Sequence, residues 1–569
     1  MNERHHPHWP PHVPLHLTLP ETNIFYNAEV SAARFPNKPF MLFYDTPVTF
    51  GEFKDEAERI AGFLQQECHV KAGDRVLLYM QNSPQWILAY YGILRANAVV
   101  VPVNPMNMGA ELQHYVEDSG ATTIIAPQCL FANVEPLMTS GDAHGLQHAI
   151  VATYSDYLKR PAPFTVPEFV AAPRKTFDIP GVTAWRDVLE RHLAPQALTA
   201  GPDDLCVMPY TSGTTGKPKG CMHTHRSVMS TALGGCVWFS SPADSVYLAV
   251  LPFFHVTGMQ GGMNSAIFSG ATIVILPRWD RDAAALCMQK YRVSAWQSIT
   301  AMMVDFLSNP KLADYDLSSL SGARGGGAAM PEAIALKLRA LTGLDYVEGY
   351  GMSETIAGTH INPPHRPKPQ CLGIPVFDVD SRVIDPLTLQ ELPAGETGEI
   401  VVNAPQVMQG YWRNPKATQE AFIELDGKRF LRTGDLGHID EEGYFFMTDR
   451  LKRMINASGY KVWPAEVEAL MYRHPAIQEV CVIGVKDEKR GETVKALVVP
   501  GAAHAGTISE QAIIDWAHEQ MAAYKAPRIV EFVASLPKSG SGKILWRKLQ
   551  EEDAARTAAA ASSGGSQGG

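Results

Sequence analysis

At 569 residues the chain is long enough for roughly three or four domain-sized units, and its 46% hydrophobic content can build several cores. A net charge of −10 argues against nucleic acid as a main partner, because phosphate backbones attract basic faces. The eight cysteines are scattered without a CxxC pair, which indicates neither a zinc ribbon nor a disulfide framework and fits free thiols in a reducing cytoplasm.

Residues 1–20 interleave His5, His6, His8, His12 and His16 with prolines. Proline prevents one helix from gathering these imidazoles on a face, so a disordered, solvated arm is expected. The N-terminus lacks the apolar core of a signal peptide, and Arg95 and Asn97 interrupt the apolar run from Tyr90 to Val103. No transmembrane segment is expected; peripheral membrane contact and a homodimer stay open.

Phe53, Ala57, Ile60, Ala61 and Leu64 recur at helical spacing. Asp74–Tyr79 reads as a strand, Ser83–Tyr91 as a helix, and Ala98–Val103 as a buried strand. Helices alternating with apolar strands indicate an α/β fold, with two α/β sheets and a small β subdomain expected in the large N-terminal domain. The proline-rich stretch 155–185 reads as a surface insertion. Leu205–Met208 is a strand, His223-Thr224-His225 leads into a helix, and Tyr247–Pro252 is another strand. Several short strands between Val376 and Val402 suggest a small β subdomain. After Leu451 the pattern changes. Pro464 opens a helix, apolar strands cover Val480–Val485 and Val494–Val499, and Thr507 with Glu510 suggests a capping box. The expected division is an arm at 1–20, a large domain at 21–451, a smaller mobile α/β domain at 452–550 and a disordered Ala/Ser/Gly tail at 551–569.

Between the strand Leu205–Met208 and the helix lies Tyr210-Thr-Ser-Gly-Thr-Thr-Gly-Lys-Pro-Lys-Gly220. Its glycines lack the Cβ atoms that keep a backbone from a ligand, while hydroxyls and lysines suit a polyphosphate. It is not a Walker A loop, since position 211 is Thr and Pro218 follows Lys217. In Glu348-Gly-Tyr-Gly-Met-Ser-Glu-Thr355, glycines beside Tyr350 let its ring approach a flat base, and Glu354 offers a hard oxygen ligand suited to Mg²⁺. In Thr433-Gly434-Asp435-Leu436 a carboxylate can accept from both hydroxyls of a ribose. Glycines flanking Lys543, in Pro537-Lys-Ser-Gly-Ser-Gly-Lys-Ile544, allow a loop to push one ammonium into a cleft.

The wording and order of these segments resemble the adenylate-forming superfamily: acyl-CoA synthetases, beetle luciferases and the adenylation domains of nonribosomal peptide synthetases. The resemblance runs from about Thr22 to Leu549. It implies that Thr211, Ser212, Gly213, Thr214, Thr215, Gly216 and Lys219 hold the ATP phosphates. It places Gly326, Gly327, Gly349, Tyr350, Gly351 and Ser353 around the nucleotide, Glu354 and Thr211 at Mg²⁺, and Asp435 with Arg450 at the ribose. Lys452, in Asp449-Arg-Leu-Lys452, becomes a hinge. Ser458 and Gly459 border the coenzyme A tunnel, and Lys543 is catalytic beside Glu354. His255, Thr257, Gly258, Trp296, Ser298, Met352 and Ala357 become the acyl pocket.

The expected activity is that of an acid–thiol ligase using ATP and coenzyme A. The chain looks most like bacterial medium- to long-chain fatty acid ligases, with an arylalkanoate or another apolar acid as the alternative. Phe253-Phe254-His255 carries no acidic partner for an α-ammonium, which disfavours amino acids. No carrier domain follows Leu549, as a peptide synthetase module needs. A luciferase shares every motif and is distinguished by light. A non-enzymatic acyl-nucleotide binding protein is distinguished by the absence of pyrophosphate release.

Overall fold

The computed structural model describes all residues except Met1, Asn2, 140–144, 212–216, 451–452, 458–459, 488–490, 502–505, 539–543 and 565–569. The chain divides into two compact units. The first comprises Met1–Ser381, Val402–Leu431 and Glu442–Tyr444; the second comprises Arg382–Val401, Arg432–Glu441 and Phe445–Gly569. Packing therefore divides the chain elsewhere than at a single cut near Leu451.

The first unit is built on two sheets. A seven-stranded sheet has the order His223–Thr224, Leu205–Val207, Val99–Pro102, Arg75–Leu78, Thr123–Pro127, His148–Ala152 and Val182–Ala184. All its pairings are parallel except that of His223–Thr224. Val99–Pro102 is buried at every position, as expected of a parallel strand covered on both faces. The other sheet has nine strands, and Thr272–Ile275, Val246–Ala249, Ala295–Ser298, Gly322–Gly326 and Tyr346–Met352 lie side by side and parallel in its middle.

Helices Phe50–Gln66 and Pro84–Arg95 pack together in one core. Phe53, Ala57, Ile60, Ala61 and Leu64 are fully buried, and Thr49 and Glu52 form a capping box at the helix start. The second helix is apolar around most of its circumference and correspondingly buried from Pro84 to Leu94.

In the second unit, Ile477–Asp487 and Gly491–Pro500 form a long antiparallel hairpin joined by Ile529–Phe532. Val467, Met471 and Ile513 from helices Pro464–Met471 and Glu510–Gln520 cover one face. The architecture is mixed α/β, with a large N-terminal part and a smaller C-terminal one. Among the described residues no helix is long and apolar enough to cross a membrane.

Four expectations need correction. The N-terminal arm is packed: the Trp9 ring meets Trp238 at 4.9 Å and Phe377 at 5.5 Å, edge to face, and His5 is buried. His16 pairs with Asp378 at 2.6 Å, and His8 contacts Arg366 and lies 3.5 Å from Glu442. Prolines forbid a helix there, but one tryptophan and several imidazoles suffice to dock extended chain. The stretch 155–185 is likewise anchored, because Tyr157, Val170 and Trp185 are buried and the Tyr157 hydroxyl donates to Glu56. Helix Glu510–Gln520 is capped by Ser509, whose Oγ accepts from Ala512 N, rather than by Thr507. Residues 551–564 of the tail belong to helix Trp546–Gly564, and 565–569 lie outside the described residues. Asp553 is buried against Lys495 at 2.5 Å, and alanines favour the helical state.

Trp9→Ala tests the docked arm. It is expected to cost about 1–3 kcal/mol, because a half-buried tryptophan loses its aromatic contacts. A denaturation midpoint equal to that of the wild type would show the arm to be idle.

Candidate active site

The parallel strands of the nine-stranded sheet end where the sequence concentrates its glycines, the position at which open α/β sheets bind ligands. Gly326 stands opposite Gly349 in parallel register. A Cβ at Gly326 would lie 2.1 Å from the Gly349 carbonyl oxygen, and one at Gly351 would lie 1.8 Å from that of Ala357. Only glycine permits this approach. Between them Tyr350 is half-buried, with its ring 5.6 Å from His360.

Ser353–Thr355 forms one tight turn, and Ile356 and Ala357 follow with φ of 43° and 106°. Positive φ in a β-branched residue is costly and persists only where its surroundings hold it. Here it accompanies the inward turn of Glu354, which is 7% exposed. Glu354 Oε1 accepts from the Tyr411 hydroxyl at 2.9 Å, and its carbonyl accepts from Met408 N at 2.8 Å. Burial and the neighbouring carboxylate push the Tyr411 phenol well above its ordinary value of 10, which keeps it a donor. Lys219 Nζ lies over the same ring, 4.2 Å from its centroid. Thr211 pairs with Lys219, and Cys221 bridges to Tyr411.

Residues 211 and 219 thus bracket the glycine–threonine loop at a lysine, a phenol and a buried carboxylate. Ser212, Gly213, Thr214, Thr215 and Gly216 themselves lie outside the described residues. His223 Nε2 donates to Ser353 O at 2.7 Å, and burial lowers its pKa to about 4, so the ring is neutral near pH 7.

No group of three or more His, Cys, Asp or Glu able to hold a metal occurs among the described residues. That donor set does not suit an ion caged by protein alone. It does suit Mg²⁺ carried on phosphate oxygens and met by one carboxylate, Glu354, with the Thr211 hydroxyl close in sequence to the loop.

In the second unit Asp435 is 2% exposed, and its backbone N–H donates to Thr433 Oγ1 at 3.0 Å. Asp435 is the register partner of Arg450 across an antiparallel pair, so two positions from separate motifs are neighbours. Asp449 Oδ2 accepts from Ala465 N at 2.7 Å in the first turn of helix Pro464–Met471, and Arg453 pairs with Glu468. Lys452, Ser458, Gly459 and Lys543 lie outside the described residues.

The expected acyl wall is partly revised. His255 is half-buried in a turn whose carbonyl accepts from Met259 N at 3.0 Å. Thr257 follows it, and Gly258 opens the π-helical segment Gly258–Asn264. Trp296 is not on that wall. It is fully buried, stacked on Trp279 at 5.6 Å and packed against Phe306. Ser298 shares its face and is buried beside the Tyr346 hydroxyl. Strand side chains alternate, so the residue between them, Gln297, points the other way, against Gly261 of the π-helical segment. Met352 packs with Cys221, Met408 and Tyr411, and Ala357 packs against the main core. Tyr411 and His223 are absent from the sequence-derived site, whereas Gln297 lies in the segment Trp296-Gln297-Ser298 that the sequence offers as part of the pocket wall. The aromatic run Tyr411-Trp412 in Gly410–Pro415 was the one signal for the first of them.

Family models match most of this chain. The model described as AMP-binding enzyme matches residues 28–412, and that described as AMP-binding enzyme C-terminal domain matches residues 466–543. The chain belongs to the AMP-binding enzyme family. It is 36% identical to a long-chain-fatty-acid–CoA ligase of Bacillus subtilis (strain 168), over 96% of this chain and 97% of that one. Among solved structures it resembles ATP-bound MatB from Rhodopseudomonas palustris, with a TM-score of 0.79 and 27% identity over 92% of this chain and 99% of that one. It also resembles a Mycobacterium tuberculosis fatty acyl CoA synthetase, with a TM-score of 0.72 and 29% identity over 94% and 99%.

Tyr411→Phe removes one donor from a buried carboxylate and is expected to cost about 1–3 kcal/mol of stability. An unchanged urea midpoint and slope would mean that the hydrogen bond contributes nothing.

Proposed function

We propose that the chain activates medium- to long-chain fatty acids. It is an AMP-forming acyl-CoA ligase. The acid's carboxylate oxygen attacks the α-phosphorus of ATP, forming acyl-AMP and expelling pyrophosphate. The coenzyme A thiolate then attacks the acyl carbonyl and expels AMP. The adenylate step is needed because oxide is a far poorer leaving group than AMP. The observation that carries the reading is the grouping of Lys219, Tyr411 and Glu354 at the foot of the 211–219 loop, beside Tyr350 on its glycine-flanked strand. The likeness to long-chain fatty acid ligases over almost the whole chain supports the substrate. So does Phe253–Gly262, which offers apolar and small side chains, one imidazole, one amide and no acidic group.

In this reading Thr211–Gly216 and Lys219 hold the β- and γ-phosphates, and Tyr350 lies against adenine. Asp435 accepts from the ribose hydroxyls, with Arg450 beside it. Glu354 and Thr211 would hold Mg²⁺, which when bound offsets phosphate charge. Lys543 meets the reacting oxygens as a compact cation. The thioester step replaces it with the turn Ser458–Gly459, by rotation about Lys452. Asp449 precedes that hinge and Ala465 follows it, so their hydrogen bond within the second unit must break as the hinge turns. All eight cysteines are free thiols, which supports a cytoplasmic setting.

Pyrophosphate release across fatty, aromatic and short acids, with and without coenzyme A, tests the substrate; a maximum on short or aromatic acids would displace it. Lys543→Ala is expected to lower adenylate formation at least about 100-fold while sparing thioester formation from supplied acyl-AMP. Equal loss in both half-reactions would remove Lys543 from its role. Asp435→Ala is expected to raise the KM for ATP about 10-fold or more and that for the acid much less. The reverse order would place Asp435 elsewhere.

A further inference from the structure

The π-helical segment Gly258–Asn264 carries more hydrogen-bonding groups than a purely alkyl ligand needs. Such segments recur at functional sites. Gln260 is 2% exposed. Its Oε1 accepts from Asn264 Nδ2 at 3.2 Å, and Asn264 Oδ1 in turn accepts from the Tyr91 hydroxyl at 2.9 Å. The ladder ends at Gln260 Nε2, a buried donor with no partner among the described residues.

The second amide belongs to Gln297, on the strand face turned away from Trp296. It lies flat on Gly261: a Cβ there would meet Oε1 at 2.0 Å and Nε2 at 2.9 Å. Oε1 is buried without a hydrogen-bonding partner among the described residues, and the residue as a whole is only half-buried. Any side chain on residue 261 would expel this amide. Glycine at 261 and glutamine at 297 therefore form one feature on the wall assigned to the acid, with Gln297 one residue from the carboxyl end of strand Ala295–Ser298. An unpaired amide is a poor neighbour for a methylene chain, because a buried polar group without a partner is penalised. An oxygen substituent, which can accept from Nε2 or donate to Oε1, removes that penalty.

We infer that Gln297 is a specificity-determining residue: its amide, seated on Gly261, selects acids that carry an oxygen function on their chain or ring over the unsubstituted parents. This rests on the acyl-CoA ligase reading and names a narrower substrate class for the same pocket. Gln297 acts on the remote part of the acid, not on the reacting atoms.

The test compares kcat/KM for pyrophosphate release from dodecanoate with that from a dodecanoate series carrying one hydroxyl at successive positions. At least one hydroxy acid is expected to exceed the parent by about 10-fold or more. In Gln297→Met that ratio falls to within about 2-fold of unity, whatever the absolute rate. In Gln297→Glu, which still accepts from a hydroxyl, it persists. A wild type indifferent to the hydroxyl at every position overturns the inference, as does a preference that survives Gln297→Met. Dodecanoate turnover by the wild type separates the two levels: its absence would sink the ligase reading itself, and its presence without hydroxyl preference sinks only the role of Gln297.

Discussion

Two adjacent parallel strands approach so closely at Gly326 and Gly349 that a Cβ on Gly326 does not fit, and a second contact, Gly351 on Ala357, is closer still. This approach determines what the end of the sheet can be. It leaves Tyr350 as the only side chain on a short length of bare backbone, so a flat ring can slide against it. It also forces the chain to turn at once, through Ser353–Thr355 and the positive φ of Ile356, which carries Glu354 inward to the Tyr411 hydroxyl. A carboxylate so placed is withdrawn from solvent yet held by a donor.

The electrostatics at residues 211 and 219 follow from the same packing. Tyr411 stands between a cation over its face and an anion at its hydroxyl. The buried His223 supports Ser353 as a neutral ring. In the second unit, antiparallel pairing sets the ribose candidates Asp435 and Arg450 opposite one another. Asp449 and Arg453 fix the chain on both sides of 451–452 to one helix.

Much of this was legible in the sequence, for definite reasons. Helical spacing from Phe53 to Leu64 and the unbroken apolar run Val99–Pro102 are local patterns, and burial follows them. The glycine-rich strand ends could be read because close approach demands glycine. Nonlocal features could not. Tyr411 lies 57 residues from Glu354, and nothing near either announces their bond. The segment Trp296-Gln297-Ser298 is assigned to the pocket as a whole, but strand alternation turns Trp296 and Ser298 into the core and leaves only Gln297 on the other face. The His/Pro arm and the Ala-rich tail have compositions that suggest disorder. Trp9 finds an aromatic niche and Asp553 a buried lysine, and neither partner is visible from the segment alone.

The proposed two-step reaction depends on an adenylate that forms before coenzyme A takes part. Exchange of labelled pyrophosphate into ATP, measured without coenzyme A, tests that order most directly. Exchange that requires the fatty acid and proceeds without the thiol is the predicted result. Exchange that needs coenzyme A, or turnover yielding ADP and phosphate, would contradict it.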